Sequence, residues 1–178
     1  MIAVGRLSRE RRPELALSAL AGLRRTGLDA RLLVVGTGPM EQRLRDMGQG
    51  SPVTFVGHVA DRRRVAGLLA HADIALATCP IETFGLAALE ALASGTPIVG
   101  VAAGALRELV PPSVGCLVEP DGHALGAAAQ RMLGPRLQEC ASAARRHALQ
   151  YTWDRTVKAM LDVHGIVLST NREPALIA

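Results

Sequence analysis

The chain has 178 residues, of which 49% are hydrophobic, 20% are charged and only 2% are aromatic, and its formal net charge is +4. This length supports one domain with a sizeable core, and the apolar fraction excludes an intrinsically disordered chain. So few aromatic residues argue against a stacking platform for RNA or single-stranded DNA, and against a β-sandwich. The composition is typical of a parallel sheet covered by helices.

Short aliphatic runs alternate with Ala/Leu/Arg-rich segments of helical periodicity along the chain. The predicted strands are Ile2–Val4, Arg31–Val35, Val53–Val56, Ile74–Ala77, Ile98–Val101 and Cys116–Val118. The predicted helices are Pro13–Thr26, Met40–Met47, Arg62–His71, Gly85–Ala93, Leu106–Val110, His123–Leu133 and Arg136–Gln150. Strands without in/out alternation, connected through helices, predict an α/β fold: a Rossmann-like parallel sheet of about six strands with helices on both faces.

Two signals bound the first helix. Ser8 and Pro13 predict a start near its front, and Gly27 predicts its end. Leu15, Ala19 and Leu23 form an apolar stripe with a spacing of four residues, which predicts that this face lies in the core.

The positive charge of the chain is not by itself evidence of a nucleic-acid-binding surface. Lys158 is the only lysine, so arginine carries nearly all the positive charge. Polyanion-binding surfaces usually combine lysine with arginine, because attraction to phosphate does not require a guanidinium. The pattern therefore favours a compositional bias over a nucleic-acid-binding face, and we predict no nucleic-acid partner.

The loop after the fourth predicted strand is the most informative. In an open parallel sheet, ligands bind at the carboxyl ends of the strands, beside helix N-termini. Glu82 precedes a predicted helix and Glu90 lies inside it, with the free N–H groups of residues 84–86 between them. A helix end can hold a phosphate, and carboxylates can accept hydrogen bonds from sugar hydroxyls. Alternatively, Glu82 stabilises the helix dipole and Glu90 is an exposed or a partnered buried acid.

Two other loops contain candidate phosphate contacts. The segment GRLSRERR places Arg6 and Arg11 after the first strand, where a guanidinium could neutralise a diphosphate; for Arg9 and Arg12 we favour a solvated charge run. Gly36 and Gly38 belong to a GTGP turn. It is a weak dinucleotide fingerprint, because Glu41 stands where a third glycine would be needed, and a tight strand-to-helix turn is the simpler interpretation.

Cysteine and histidine indicate neither disulfides nor a metal site. Cys79, Cys116 and Cys140 are odd in number and lack CxxC spacing, which favours a reducing, cytoplasmic compartment. The five histidines are scattered without metal-ligand spacing. The N-terminus has no apolar segment of a signal peptide, and we predict no transmembrane helix.

Five motifs in order resemble the retaining GT-B glycosyltransferases of family 4. They are GRLSRE, GTGP, FVGHV, HADIALATCPIETFGLAALEALASGTPIVG and YTWD, the last preceding the family's final helix. Glu82 and Glu90 match the E-x7-E signature of that family. The resemblance covers roughly residues 2–165 and implies the C-terminal, donor-binding half of a GT-B fold. Within the family, the sequence is most similar to actinobacterial GDP-mannose-dependent α-mannosyltransferases, including those acting on phosphatidylinositol mannosides.

The resemblance implies a role for each matching residue. Glu82 would contact the donor sugar, and Glu90 the ribose hydroxyls. Arg6 matches a diphosphate-binding arginine, and Arg11 stands where the family usually has lysine. The other implied donor contacts are Gly5, Gly36 and Gly38, then Thr83, Phe84, Gly85 and Leu86, and, near the base, Val59, Asp61 and Arg64. Arg6, Arg11 and Glu82 would be the catalytic residues.

The function implied is hexose transfer, with mannose from GDP-mannose as the expected donor chemistry and UDP sugars left open. The resemblance implies that no metal or other cofactor is needed. It also implies that residues 1–168 form the sugar-nucleotide-binding domain, that residues 169–178 form a loose tail, and that the N-terminal acceptor domain is absent. The chain alone would then be inactive. The complete enzyme would use a lipid or glycan acceptor in the cytoplasm, with peripheral association at the inner face of the membrane.

Two alternatives follow from the residues. The chain could be a non-catalytic module from a truncated gene that binds a nucleotide or a partner protein. A dinucleotide-dependent oxidoreductase is disfavoured, because the glycine pattern fails and no acidic residue follows at the distance needed to hold a ribose.

Overall fold

The computed structural model describes residues 1–170. Its strands are β1 (Ile2–Val4), β2 (Leu32–Val35), β3 (Val53–Gly57), β4 (Ala75–Ala77), β5 (Ile98–Val101) and β6 (Gly115–Val118). Its helices are α1 (Glu14–Arg24), α2 (Glu41–Met47), α3 (Arg62–Ala70), α4 (Leu86–Ala93), α5 (Leu106–Leu109), α6 (Gly122–Met132), α7 (Leu137–Ala148) and α8 (Trp153–Thr170). A single 3-10 turn (Arg9–Arg11) follows β1. Each predicted strand and helix is present, with bounds shifted by a few residues at most.

All the strands pair in parallel, in the order β3-β2-β1-β4-β5-β6. The chain therefore winds outward from β1 to β3, crosses back, and winds outward in the other direction from β4 to β6. Because parallel crossovers are right-handed, the two directions place helices on opposite faces of the sheet. The predicted α/β architecture is confirmed.

The core lies between the sheet and these helices. Ile2, Leu32, Ile74 and Ile98 are fully buried beside or within the strands. On α1, the predicted stripe of Leu15, Ala19 and Leu23 is buried, and this helix packs against α6. On the other face, α4 packs against α3 and α7. The strands thus have both faces covered, which explains why they lack alternation in sequence.

Two expectations about helix ends are modified by the structure. Ser8 caps the 3-10 turn rather than α1, which begins after Pro13. Ser169 and Thr170, the first two residues of the predicted tail, belong to α8, the helix that follows the YTWD motif. Residues 171–178 of that prediction lie outside the described part of the chain. Gly27 does follow the end of α1, with a φ of +89° that favours glycine.

No helix among the described residues is long and apolar enough to cross a membrane. The three cysteines are free: Cys79 and Cys140 are buried, and Cys116 is half-buried.

Candidate functional site

The candidate site lies where the winding of the sheet reverses. The strands β1 and β4 are neighbours in the sheet, yet their chains leave toward opposite sides. This divergence opens a crevice beyond their carboxyl ends, the usual ligand position in doubly wound sheets. The loops that meet there are 5–12 after β1 and 78–85 after β4.

The GTGP turn packs directly on the loop after β1. The Leu7 N–H donates to the Thr37 carbonyl (2.9 Å), and the Met40 N–H donates to the Leu7 carbonyl (2.9 Å). A Cβ at Gly36 would overlap the Gly5 carbonyl, and a Cβ at Gly38 would overlap the Leu7 backbone. The two glycines are therefore needed for this close approach of two loops, and both also line the cleft described below.

A small cavity of about 60 Å³ lies between the loops after β1 and β4, and its polar lining comes from Arg6, Arg11, Thr78 and Glu82. The Arg11 guanidinium donates to the Glu82 carboxylate at 3.2 Å. The Glu82 side chain is only 16% exposed in this ion pair. The fold thus joins a predicted sugar contact and a predicted diphosphate contact across 71 positions of sequence.

Backbone contacts hold this ion pair in place. The Arg11 N–H donates to the Ser8 carbonyl (3.1 Å), and the Thr78 hydroxyl donates to the Arg11 carbonyl (2.9 Å). The Glu82 carbonyl accepts the Ala105 N–H (2.9 Å) from the loop after β5. Three loops at one edge of the sheet are therefore tied to each other.

A large cleft of about 980 Å³ opens beside the small cavity. Its lining includes Arg6, the GTGP turn, and His58, Val59, Ala60 and Arg62, together with Glu90 of α4 and Ser94 at the end of that helix. Val4, Gly5, Arg6 and Leu69 line both the small cavity and the large cleft. The two spaces therefore meet at Arg6, and their combined shape suits an elongated ligand of nucleotide size.

Glu90 is exposed, which decides between the two states that the sequence left open for it. It is the fifth residue of α4, and its side chain lies on the wall of the large cleft. Because it needs no buried partner, its carboxylate is available to accept hydrogen bonds from a ligand.

The N-terminus of α4 adjoins the small cavity. Gly85 caps the helix with φ +85° and is buried, and a Cβ at this position would lie within 3.0 Å of the Leu109 side chain. The first N–H groups of this helix have no intrahelical acceptor, and Ala87 and Ala88 line the small cavity. Thr83, Phe84 and Leu86 are exposed and line neither the small cavity nor the large cleft; Phe84 is 47% exposed and Leu86 is 60% exposed.

Some of the residues that follow β3 line the large cleft, and others do not. Val59 lines the large cleft, whereas the Asp61 carboxylate accepts the Arg63 N–H (2.9 Å) and caps α3. Arg62 lines the cleft, and Arg64 does not. The roles of Asp61 and Arg64 at a base stay predictions.

Arg12 is not part of a solvated charge run, so that expectation was wrong. Its backbone is left-handed (φ 50°), and its guanidinium contacts the Glu14 carboxylate (3.3 Å) and the Pro120 carbonyl (3.2 Å). The side chain therefore anchors the start of α1 to the loop before α6. Arg9 is exposed, as expected.

Two groups at this edge have shifted pKa values. The Ser8 hydroxyl donates to the Glu10 carboxylate at 2.5 Å, and mainly this bond holds the pKa of Glu10 below its usual 4.5, with help from Arg6 and Arg11. Burial raises the pKa of the Cys79 thiol, so it stays protonated at neutral pH. The described residues contain no cluster of His, Cys, Asp or Glu suited to a metal ion.

Several residues of this site were missed by sequence reasoning. They are Thr78, His58, Arg62 and Ser94. Ser94 follows Glu90 by one helical turn, a spacing that could have indicated it. Thr78 carried no signal, because its partner Arg11 is 67 positions away.

A model of the family described as glycosyl transferases group 1 matches residues 1–134. The chain is 40% identical over 172 residues to the GDP-mannose-dependent alpha-(1-6)-phosphatidylinositol dimannoside mannosyltransferase of Mycobacterium tuberculosis, covering 97% of this chain and 45% of that protein. It is 35% identical to the D-inositol 3-phosphate glycosyltransferase of Salinispora tropica, covering 95% of this chain and 38% of that protein. The chain therefore spans less than half the length of these curated relatives.

Solved structures with similar folds include sucrose-phosphate synthase from Thermosynechococcus elongatus, with a TM-score of 0.79 and 28% identity over 95% of this chain and 46% of that one. The pneumococcal O-GlcNAc transferase GtfA, solved with UDP and GlcNAc, has a TM-score of 0.81 and 17% identity over 94% of this chain and 35% of that one. At 17% identity the likeness concerns the fold alone.

Proposed function

The chain belongs to the group 1 glycosyl transferases and has the fold of the C-terminal domain of GT-B enzymes, and from this membership we propose that it binds the nucleotide-sugar donor of a mannosyl transfer. The observation that carries the proposal is the junction at Arg6 between the small cavity and the large cleft. A nucleotide sugar has a sugar, a diphosphate and a nucleoside in a row, and the two joined spaces offer matching chemistry in that order.

The small cavity is proposed to hold the sugar end. The Glu82 carboxylate would accept hydrogen bonds from hexose hydroxyls, for which a carboxylate is well suited. Arg11, already within 3.2 Å of Glu82, would bind the neighbouring diphosphate. Thr83, Phe84 and Gly85, at the N-terminus of α4, would add backbone contacts to the sugar and the diphosphate.

Arg6 is proposed to stabilise the departing diphosphate together with Arg11. When the bond from the sugar to the diphosphate breaks, negative charge develops on the leaving oxygen. The Arg11 guanidinium, held by Glu82, and the exposed guanidinium of Arg6 would place positive charge beside that oxygen. Neither residue needs a metal ion for this role.

The large cleft is proposed to hold the nucleoside. Glu90 would accept hydrogen bonds from the ribose hydroxyls, and the backbone of Gly36 and Gly38, packed on the loop after β1, would line the cleft beside the ligand. Leu86 and the 59–64 segment would border the base. We propose GDP-mannose as the donor, supported by the 40% identity to a protein described as GDP-mannose-dependent.

The acceptor side is proposed to lie elsewhere. Because the chain spans 45% of that relative, a lipid or glycan acceptor would be bound by an N-terminal domain that residues 1–168 do not supply. We propose that the chain alone does not catalyse transfer, and that the complete enzyme acts in the cytoplasm at the inner face of the membrane.

A second candidate, which the sequence also leaves open, is a nucleotide- or partner-binding module without turnover. A reading frame for an acceptor-binding half immediately upstream would favour the transferase. Its absence, together with nucleotide binding, would favour the module.

Isothermal titration of the folded chain tests the donor proposal. We expect GDP-mannose and GDP to bind, and UDP-glucose to bind more weakly. No binding of any of the three, with the fold intact by circular dichroism, would overturn donor binding. Preference for UDP-glucose would overturn only the choice of donor.

A further inference from the structure

The Thr78 hydroxyl makes a contact that the donor-binding roles above leave unexplained. Thr78 directly follows β4, and its Oγ1 donates to the Arg11 carbonyl at 2.9 Å, across a distance of 67 positions in sequence. Both residues line the small cavity. Thr78 is half-buried, and its hydroxyl already donates a hydrogen bond to a backbone carbonyl. This donor is therefore not available to a ligand.

Arg12, next to Arg11, is anchored through its side chain on Glu14 and the Pro120 carbonyl, whereas the Arg11 backbone is held by two hydrogen bonds, from its N–H to Ser8 and from the Thr78 hydroxyl to its carbonyl. The 3-10 turn is three residues long, ends at a left-handed residue and contains no buried side chain. Turns of this kind have weak hydrogen-bond geometry and do not persist by themselves. The hydrogen bond from the Thr78 hydroxyl joins the Arg11 carbonyl to the residue that directly follows β4.

We propose that Thr78 is a positioning residue, which holds the backbone of Arg11 so that its guanidinium faces Glu82 and the diphosphate. The inference rests on the proposed donor binding at this site. A guanidinium contributes bidentate binding only when its orientation is set, and a free 3-10 turn would leave it mobile. Thr78 thus acts through Arg11 and touches no substrate.

A contact of Cys79 depends on the same hydrogen bond between Thr78 and Arg11. Cys79 follows Thr78, its Sγ lies 4.0 Å from the Glu10 carbonyl, and its side chain is 8% exposed. The 3-10 turn that Thr78 holds therefore also covers the Cys79 thiol. Loss of the tie should expose this thiol, whether or not a nucleotide is bound.

The first experiment compares Thr78→Val, which has a similar shape without the hydroxyl, with Thr78→Ser, which keeps it. Isothermal titration measures the affinity of the chain for GDP and for guanosine. We expect Thr78→Val to weaken GDP about five- to tenfold, to leave guanosine unchanged, and Thr78→Ser to restore GDP binding. In an Arg11→Gln background, Thr78→Val should have no further effect on GDP.

Thr96→Val is the matched control. Thr96 also donates its hydroxyl to a backbone carbonyl, that of Leu69 at 2.7 Å, but it precedes β5 and lies at the amino ends of the strands. Its loss should lower the melting temperature without changing the ratio of GDP to guanosine affinity. An equal loss of GDP and guanosine in Thr78→Val, or a loss that persists without Arg11, would overturn the positioning role.

The second experiment needs no nucleotide. The rate of Cys79 alkylation by iodoacetamide, followed by peptide mass spectrometry, should rise severalfold in Thr78→Val and stay slow in Thr78→Ser. An unchanged rate in Thr78→Val would overturn the anchoring. If the wild-type chain binds no nucleotide, the donor proposal fails, while this rate still decides whether Thr78 holds the turn.

Discussion

The small cavity and the large cleft differ in how much of their polar lining is already arranged. In the small cavity, Arg11 and Glu82 are paired at 3.2 Å, and neighbouring loops hydrogen-bond the backbone of both. In the large cleft, Glu90 and Arg62 are exposed side chains that line the space. The comparison teaches that one end of the proposed donor site is pre-organised, whereas the other end is completed by the ligand.

Arg6 gives the largest expected effect, because it lines both spaces. Arg6→Ala should weaken GDP about 10- to 100-fold, the loss for a charge-assisted hydrogen bond, and should leave guanosine nearly unchanged. Titration with both ligands measures this difference. Arg9→Ala, on the exposed side of the same loop, is the control with little expected change. Equal losses for GDP and guanosine would break the assignment of the diphosphate to the junction.

Loss of the Glu90 carboxylate should weaken only the contacts to the nucleoside part of the ligand. Glu90→Ala should weaken GDP and guanosine alike, by about tenfold, because the ribose hydroxyls would lose their acceptor. Glu139→Ala, an exposed acid on α7, is the matched control. A loss confined to GDP would place the phosphate rather than the ribose beside α4, and would contradict the division between the two spaces.

Arg62 and Arg64 test which arginine of α3 contacts a ligand in the large cleft. Both are exposed in the first turn of α3, but only Arg62 lines the large cleft. Arg62→Ala should weaken GDP about two- to fivefold, whereas Arg64→Ala should have little effect. The reverse order, measured by the same titrations, would support the role that the family resemblance implies for Arg64.

The smallest expected effect concerns pH at the pre-organised end. The Ser8 hydroxyl lowers the pKa of Glu10 in the folded chain, so this bond stabilises the fold above pH 4.5 and is lost as pH falls through the lowered value. Ser8→Ala should lower the melting temperature slightly at pH 7, and the difference from wild type should shrink as the pH falls below 4.5 through the lowered pKa of Glu10. In Glu10→Gln, the same serine change should have an effect that does not vary across this pH range.

Local patterns of residues predict the strands and helices that the structure contains, and they also predict the candidate contacts. Aliphatic runs such as LLVV and IVGV identify buried strands because both faces of the sheet are covered, and this signal is local. The glycines of the GTGP turn and the two acids of the E-x7-E spacing are also local signals. Their meaning follows from the rule that ligands bind at the carboxyl ends of parallel strands.

Only the tertiary structure decided which of these residues meet. The pairing of Arg11 with Glu82, the tie from Thr78, and the anchoring of Arg12 on Pro120 each join positions far apart in the chain. The choice of Arg62 over Arg64 depends on where α3 begins relative to the cleft. Such contacts are set by the crossover from β3 to β4 and by the packing of whole loops, and no local pattern of residues encodes those distances.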